Sequence, residues 1–497
     1  MLFNSIEYLF FLPLVFLIYW AIGYAKINDS LKLRLQNAFV VIASYVFYGW
    51  WDWRFLILIA FTSFCSWGSG LLIAKGAQKD TEGPRGGQNV SFASKFWLIA
   101  NIVLNLGILA VFKYYDFFVT EFGDIFGIST SSLLLRVILP VGISFYTFQA
   151  LSYSIDVYRG NIKSTKDIIA FFAFISFFPQ LVAGPIERAT NLLPQFLRNR
   201  KFSYAQGVDG MRQILWGLFK KIVIADNCAV YVDQVWATYP TQTGSTLLLA
   251  AVLFTFQIYG DFSGYSDIAI GTAKLFGIKL MRNFNNPYFS RDIAEFWRRW
   301  HISLTTWFRD YVYIPLGGSR VGKWKIVRNT FIIFLVSGIW HGANWTFLAW
   351  GAYHAVLFLP LILLGKNRKY TGQVAEDRWL PTWKEALQML LTFGLVVIGW
   401  IIFRAETIGQ AWTIITRICS MSIFSTPYLI NRYFYVPLFT CLIVMLIVEW
   451  GGRNKSHALD FAMLHSHSIK YAIYIAIILL IIFFTPPTPS PFIYFQF

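Results

Sequence analysis

The chain has 497 residues, of which 57% are hydrophobic, 19% aromatic and only 13% charged. Soluble globular domains carry about 25% charged residues, so this composition excludes a disordered chain, a collagen and a small disulfide scaffold, and it argues against a soluble multidomain enzyme. Lys and Arg outnumber Asp and Glu by 42 to 25, a formal charge of +17, and the bases are scattered between apolar runs, which suits cytoplasmic loops and a lipid bilayer and not nucleic acid.

The amino-terminal stretch MLFNSIEYLFFLPLVFLIYWAIGYA lacks a basic n-region and a small-residue cleavage site, so it reads as a first membrane helix rather than a signal peptide. Further charge-free runs follow at Leu35–Trp51, Phe55–Ala74, Phe96–Phe112, Val137–Ile155, Ile168–Ile186, Gln234–Gly260, Asn329–Leu364, Ala386–Phe403, Tyr433–Val448 and from Tyr471 onward. A crossing needs about 20 apolar residues, and the pattern predicts an all-α polytopic membrane protein of about eleven embedded helices. Asn329–Leu364 is too long for one crossing and is expected to turn near Gly342–Asn344 or Gly351. Ile168–Ile186 carries Pro179 and Pro185, which predicts a broken, re-entrant segment or a kinked span.

Residues 187–221 and 261–328 are rich in Arg and Lys and are expected as cytoplasmic or interfacial segments of a single membrane domain spanning 1–497. Loop 76–95 reads as flexible surface. Cys65, Cys228, Cys419 and Cys441 form no CxxC pair and read as packing residues. His457, His465 and His467 sit in a short polar stretch that reads as a solvated loop, and no metal site is expected.

Three histidines bear on chemistry. His341 lies inside an apolar run, where an ionisable side chain marks a functional interior by default; imidazole titrates near neutrality and suits a general base. A hydrogen-bonded helix tie is the plainer alternative, and for His354 packing is the expectation. His301 lies in NFNNPYFSRDIAEFWRRWHISLTTWFRDYVYIPLGGSR. Taken as one helix, Arg291–Arg309 would set Phe296, Trp300 and Trp307 among bases, as an interfacial helix does, with the turn Pro315–Gly318 ending it. The alternative is a basic collar at the mouth of a reaction chamber. The chain ends TPPTPSPFIYFQF without charge after Lys470, so residues 486–497 are expected as an extracytoplasmic aromatic tail, either an interfacial anchor or a segment folded into an outer mouth.

Taken together, NPYFSRDIAEFWRRWHISLTTWFRDYVYIPLGGSR and GIWHGANWTFLAWG resemble the membrane-bound O-acyltransferases, in particular their bacterial alginate O-acetylation branch. LPVGISFYTFQALSYSIDVYRG (139–160), FFPQLVAGPIER (177–188), YGDFSGYSDIAIG (259–271) and WIIFRAE (400–406) extend the resemblance over nearly the whole chain. It implies helices ringing a central tunnel, an acyl donor arriving from the cytoplasm and an acceptor from the other side. It implies His341 and His301 as catalytic residues. Acetyl-CoA is the implied donor, with Arg298, Arg299, Trp300, Arg309 and Trp340 as candidates to contact it. The implied partners are an extracytoplasmic esterase-like protein and an exported polysaccharide, at a bacterial inner membrane. Tyr494 is a candidate acyl carrier, because related envelope systems use a tyrosine-bearing tail. Peptidoglycan O-acetylation and D-alanyl transfer to teichoic acid are alternatives on the same fold, and a non-catalytic transporter or flippase is the competitor from another class.

Overall fold

The computed structural model describes residues 1–81, 91–182, 184–429, 432–460, 466–486 and 492–493. Regular structure among these residues is entirely helical. A bilayer core offers no water to backbone N–H and C=O groups, so long charge-free runs satisfy them within helices. Among the described residues seven helices are long and apolar enough to cross a membrane, and every run named above overlaps helix.

The chain forms two compact units, the first comprising Met1–Gly210 and Ala269–Met281. It contains α1 (Ile6–Tyr24), α2 (Asp29–Gly49), α3 (Phe55–Thr81), α4 (Phe92–Lys113), α5 (Tyr115–Phe126), α6 (Ile143–Tyr158), α7 (Ile168–Ser176), α8 (Phe178–Leu181) and α9 (Ala189–Phe196). Buried amides tie three of them together: Asn101 Nδ2 on α4 donates to Ser154 Oγ on α6 (2.7 Å), and Ser66 Oγ on α3 donates to Asn101 Oδ1 (3.1 Å). Such bonds hold membrane helices where lipid removes the hydrophobic drive to associate. The Ile168–Ile186 run is broken rather than merely kinked. Phe177 leaves the helical region between α7 and α8, and Pro179, in the first turn of α8, sits where its missing N–H costs nothing. The expected loop at 76–95 is shorter at both ends, since α3 runs to Thr81 and α4 starts at Phe92; residues 82–90 lie outside those described.

The second unit comprises Met211–Ile268 and Arg282–Phe497. Two helices have residues in both units, α10 (Tyr204–Leu218) and α12 (Gly244–Leu275). The second unit adds a π-helical turn at Phe219–Ala225, α11 (Asp226–Ala237), α13 (Ile293–Arg299), α14 (Ile302–Phe308), α15 (Lys323–His341), α16 (Trp345–Leu363), α17 (Trp383–Arg404), α18 (Ile408–Ile418), α19 (Arg432–Gly451) and α20 (His467–Phe484). The Asn329–Leu364 run turns where expected: Gly342 is extended, and Asn344 Oδ1 caps α16 by accepting from Thr346 N (2.9 Å). The two arms then pack backbone to backbone. A Cβ on Gly351 would lie 2.5 Å from the Phe334 carbonyl oxygen, and one on Gly338 would collide with the Phe347 carbonyl.

Two expectations are corrected here. Arg291–Arg309 is not one amphipathic surface helix. His301 stands at φ 44° and breaks it into α13 and α14, and Phe296, Trp300 and Trp307 are buried. The basic stretches also include buried charge. Residues 261–275 continue α12, and Lys220 and Lys221 are each 3% exposed, because carboxylates on α11, α12 and α19 neutralise them.

Candidate active site

The glycine-permitted approach of α15 and α16 brings the end of one helix against the start of the next. His341, the last residue of α15, is buried with its ring edge-on to Trp340 (4.9 Å between centroids), Trp350 of α16 (5.1 Å) and Phe403 of α17 (5.2 Å). Trp340 also contacts the ring of His301, at 5.9 Å. Residues forty positions apart in sequence therefore meet across one indole. Phe262 of α12 also meets the His301 ring, edge-on at 4.6 Å. The two imidazoles so occupy one aromatic-walled interior built from α12, the α13–α14 link, α15, α16 and α17. Burial pulls the His301 imidazole down to about 3, so it is neutral at physiological pH. His301 lies outside the seven long apolar helices.

His354 sits three turns along α16, fully buried, and its Nδ1 accepts from Trp297 Nε1 at 3.4 Å. A Cβ on Gly399 would lie 2.7 Å from its Nε2, so α17 approaches it closely. This agrees with the packing role expected for His354.

The candidate donor-binding residues fall into different settings. Trp300 is buried between Phe284 (5.0 Å) and Trp400 (4.9 Å). Arg298 donates to the carbonyls of Asn367 (2.7 Å) and Tyr370 (2.5 Å). Arg299 binds Glu295 (2.7 Å), the Gly372 carbonyl (2.8 Å) and Gln373. Both guanidinium groups thus pin the loop between α16 and α17. Arg309 pairs with its neighbour Asp310, and its side chain is 56% exposed. Tyr494 and His465 lie outside the described residues. Phe492 and Ile493, just before Tyr494, are buried: Phe492 packs on Tyr265 (4.8 Å) and Phe262 (6.0 Å), and Ile493 N donates to Asp261 Oδ2 (2.6 Å).

Sequence reasoning missed the charge cluster behind this site. Lys221 Nζ lies 2.8 Å from Asp226 and 2.7 Å from Asp261, while Lys220 Nζ lies 2.6 Å from Asp267. The signal was present in Asp261 and Asp267, two carboxylates directly after the charge-free run Gln234–Gly260, which call for buried partners once its helix continues through them. Lys220 and Lys221, read from sequence within the cytoplasmic or interfacial stretch 187–221, are the partners.

A family model described as MBOAT, membrane-bound O-acyltransferase family, matches residues 161–398. The chain is 36% identical to a probable alginate O-acetylase AlgI of Pseudomonas putida, with 100% of both chains covered. It is 41% identical to the protein of the same description in Pseudomonas aeruginosa, over 83% of this chain and 74% of the relative. A peptidoglycan O-acetyltransferase of Helicobacter pylori is 33% identical, over 92% of this chain and 90% of its own.

Proposed function

Because the chain belongs to the membrane-bound O-acyltransferase family, and is with it a multi-pass membrane O-acyltransferase, we propose that it takes acetyl from cytosolic acetyl-CoA for O-acetylation of an exported polysaccharide, in a bacterial cytoplasmic membrane. The observation that carries this reading is the pair of buried imidazoles, His341 and His301, both in contact with Trp340. In the proposed reaction a His341 nitrogen takes the proton of the attacking hydroxyl as its oxygen bonds to the thioester carbonyl carbon. The tetrahedral intermediate collapses, the C–S bond breaks, and the proton passes from His341 to the departing sulfur. Neutral His301 donates its N–H to the developing oxyanion or orients the acceptor. The surrounding Trp340, Trp350 and Phe403 rings keep water from the thioester.

Exposed Arg309 supports a role in attracting the anionic donor from the cytosol. The docking of Phe492 and Ile493 on α12 supports a further role for the next residue, Tyr494, as an acyl carrier toward an extracytoplasmic esterase-like partner. The descriptions of the Pseudomonas relatives favour an alginate-like polymer; that of the Helicobacter pylori relative makes peptidoglycan the second reading.

Reconstituted protein tests the donor: free CoA should appear from acetyl-CoA, and folded wild-type protein that releases none would overturn it. Deleting the gene separates the acceptors. Loss of O-acetyl from exported polysaccharide supports the first reading, and loss confined to muropeptides supports the second.

A further inference from the structure

We propose that Asn283 is a positioning residue for the His301 imidazole; the inference rests on His301 belonging to the reaction centre. His301 holds φ at 44° immediately before α14, in the left-handed region that side-chain-bearing residues rarely occupy. Such a conformation persists only where the surroundings fix it from several directions. Asn283 supplies several of those restraints. Its carbonyl oxygen accepts from Ile302 N (2.9 Å), its Oδ1 accepts from Ser303 Oγ (2.9 Å) and Ser303 N (3.4 Å), and its Nδ2 donates to Ser266 Oγ on α12 (3.1 Å).

The two residues that follow His301 therefore hang on one buried asparagine, which is itself tied to α12. Phe262, one turn before Ser266 on that helix, meets the His301 ring at 4.6 Å. Backbone and ring of His301 are thus referenced to the same element. Removing the asparagine side chain deletes its bonds to Ser303 and to Ser266 on α12, keeps the backbone bond from Ile302 N, and so loosens the His301 link enough for the imidazole to shift. A displacement of about 1 Å at a reacting centre can cost about 100-fold in rate.

The test is Asn283→Ala in reconstituted protein, with kcat and KM for acetyl transfer read separately and thermal stability in detergent recorded. We expect kcat to fall about 10- to 100-fold while KM stays within about twofold. Ser303→Ala should lower kcat in the same direction, and Ser303→Thr, which keeps the hydroxyl, should recover it. Should Asn283→Ala not fold, the Ser303 pair and Ser266→Ala carry the test, since each serine-to-alanine change removes one partner of the Asn283 side chain and leaves the asparagine in place. Unchanged kcat in these variants, or a loss that tracks stability and is not recovered by Ser303→Thr, overturns the proposal. His301→Ala is run in parallel: full activity there sinks the reading of His301 itself, whereas an inactive His301→Ala beside an unaffected Asn283→Ala sinks only the positioning role. O-acetyl content of the exported polymer in cells should follow the same order whatever the donor.

Discussion

Replacing His341 separates its chemistry from its packing, provided the substitute is chosen from the structure. The imidazole makes three edge-on contacts, with Trp340, Trp350 and Phe403. At about 0.5–1.5 kcal/mol each, their loss in His341→Ala would cost roughly 1.5–4.5 kcal/mol of stability, before any effect on the reaction. His341→Gln keeps a polar side chain of similar size and removes the base. General-base catalysis contributes about 10²–10⁴-fold, which is about 2.7–5.5 kcal/mol at 1.36 kcal/mol per decade. The assay is CoA release from acetyl-CoA by reconstituted protein, normalised to monodisperse protein recovered after size exclusion. We expect His341→Gln to lose at least 100-fold in kcat with a melting temperature close to wild type, and His341→Ala to lose both rate and stability. A Gln variant within tenfold of wild type, correctly folded, would remove His341 from the role of base and with it the transfer scheme.

Other consequences follow from particular contacts. Lys221→Met would leave Asp226 and Asp261 facing each other at 1% and 4% exposure; breaking a buried pair this way costs about 3–5 kcal/mol, read as lower resistance to denaturation in detergent, and adding Asp226→Asn and Asp261→Asn should restore much of it. Gly338→Ala forces a methyl onto the Phe347 carbonyl and should cost about 1–3 kcal/mol; a variant as stable as wild type in a thermal scan would contradict the close approach of α15 and α16. Because burial holds His301 near 3 against an ordinary 6.5, the unfolded chain binds a proton below about pH 6.5 that the folded one refuses. Its contribution therefore destabilises the fold progressively as pH falls toward 3. His301→Asn should flatten that part of the stability-against-pH curve, and an unchanged curve would count against a neutral buried imidazole.

The helical membrane class was legible from composition alone, since runs without charge have one way to satisfy their backbone in lipid. The turn at Gly342–Asn344 was legible too, because no single helix of that length fits a bilayer. His341 could be singled out, as an ionisable group that lipid would not tolerate without a reason. The break at His301 was not legible. Local pattern favours one amphipathic helix through Arg291–Arg309, whereas extended Trp300 and left-handed His301 split it, held by contacts that include the bonds from Asn283, eighteen residues earlier. Lys220 and Lys221 likewise read as surface charge, because the carboxylates that bury them lie on other helices. Sequence by itself determined which segments avoid water and which side chain is costly there, as both depend on transfer energies of residues taken in order. Only the tertiary structure decided which groups meet, because the contact of His301 with the indole next to His341 depends on where the α13–α14 link lies against the end of α15, a distance that no one-dimensional pattern encodes.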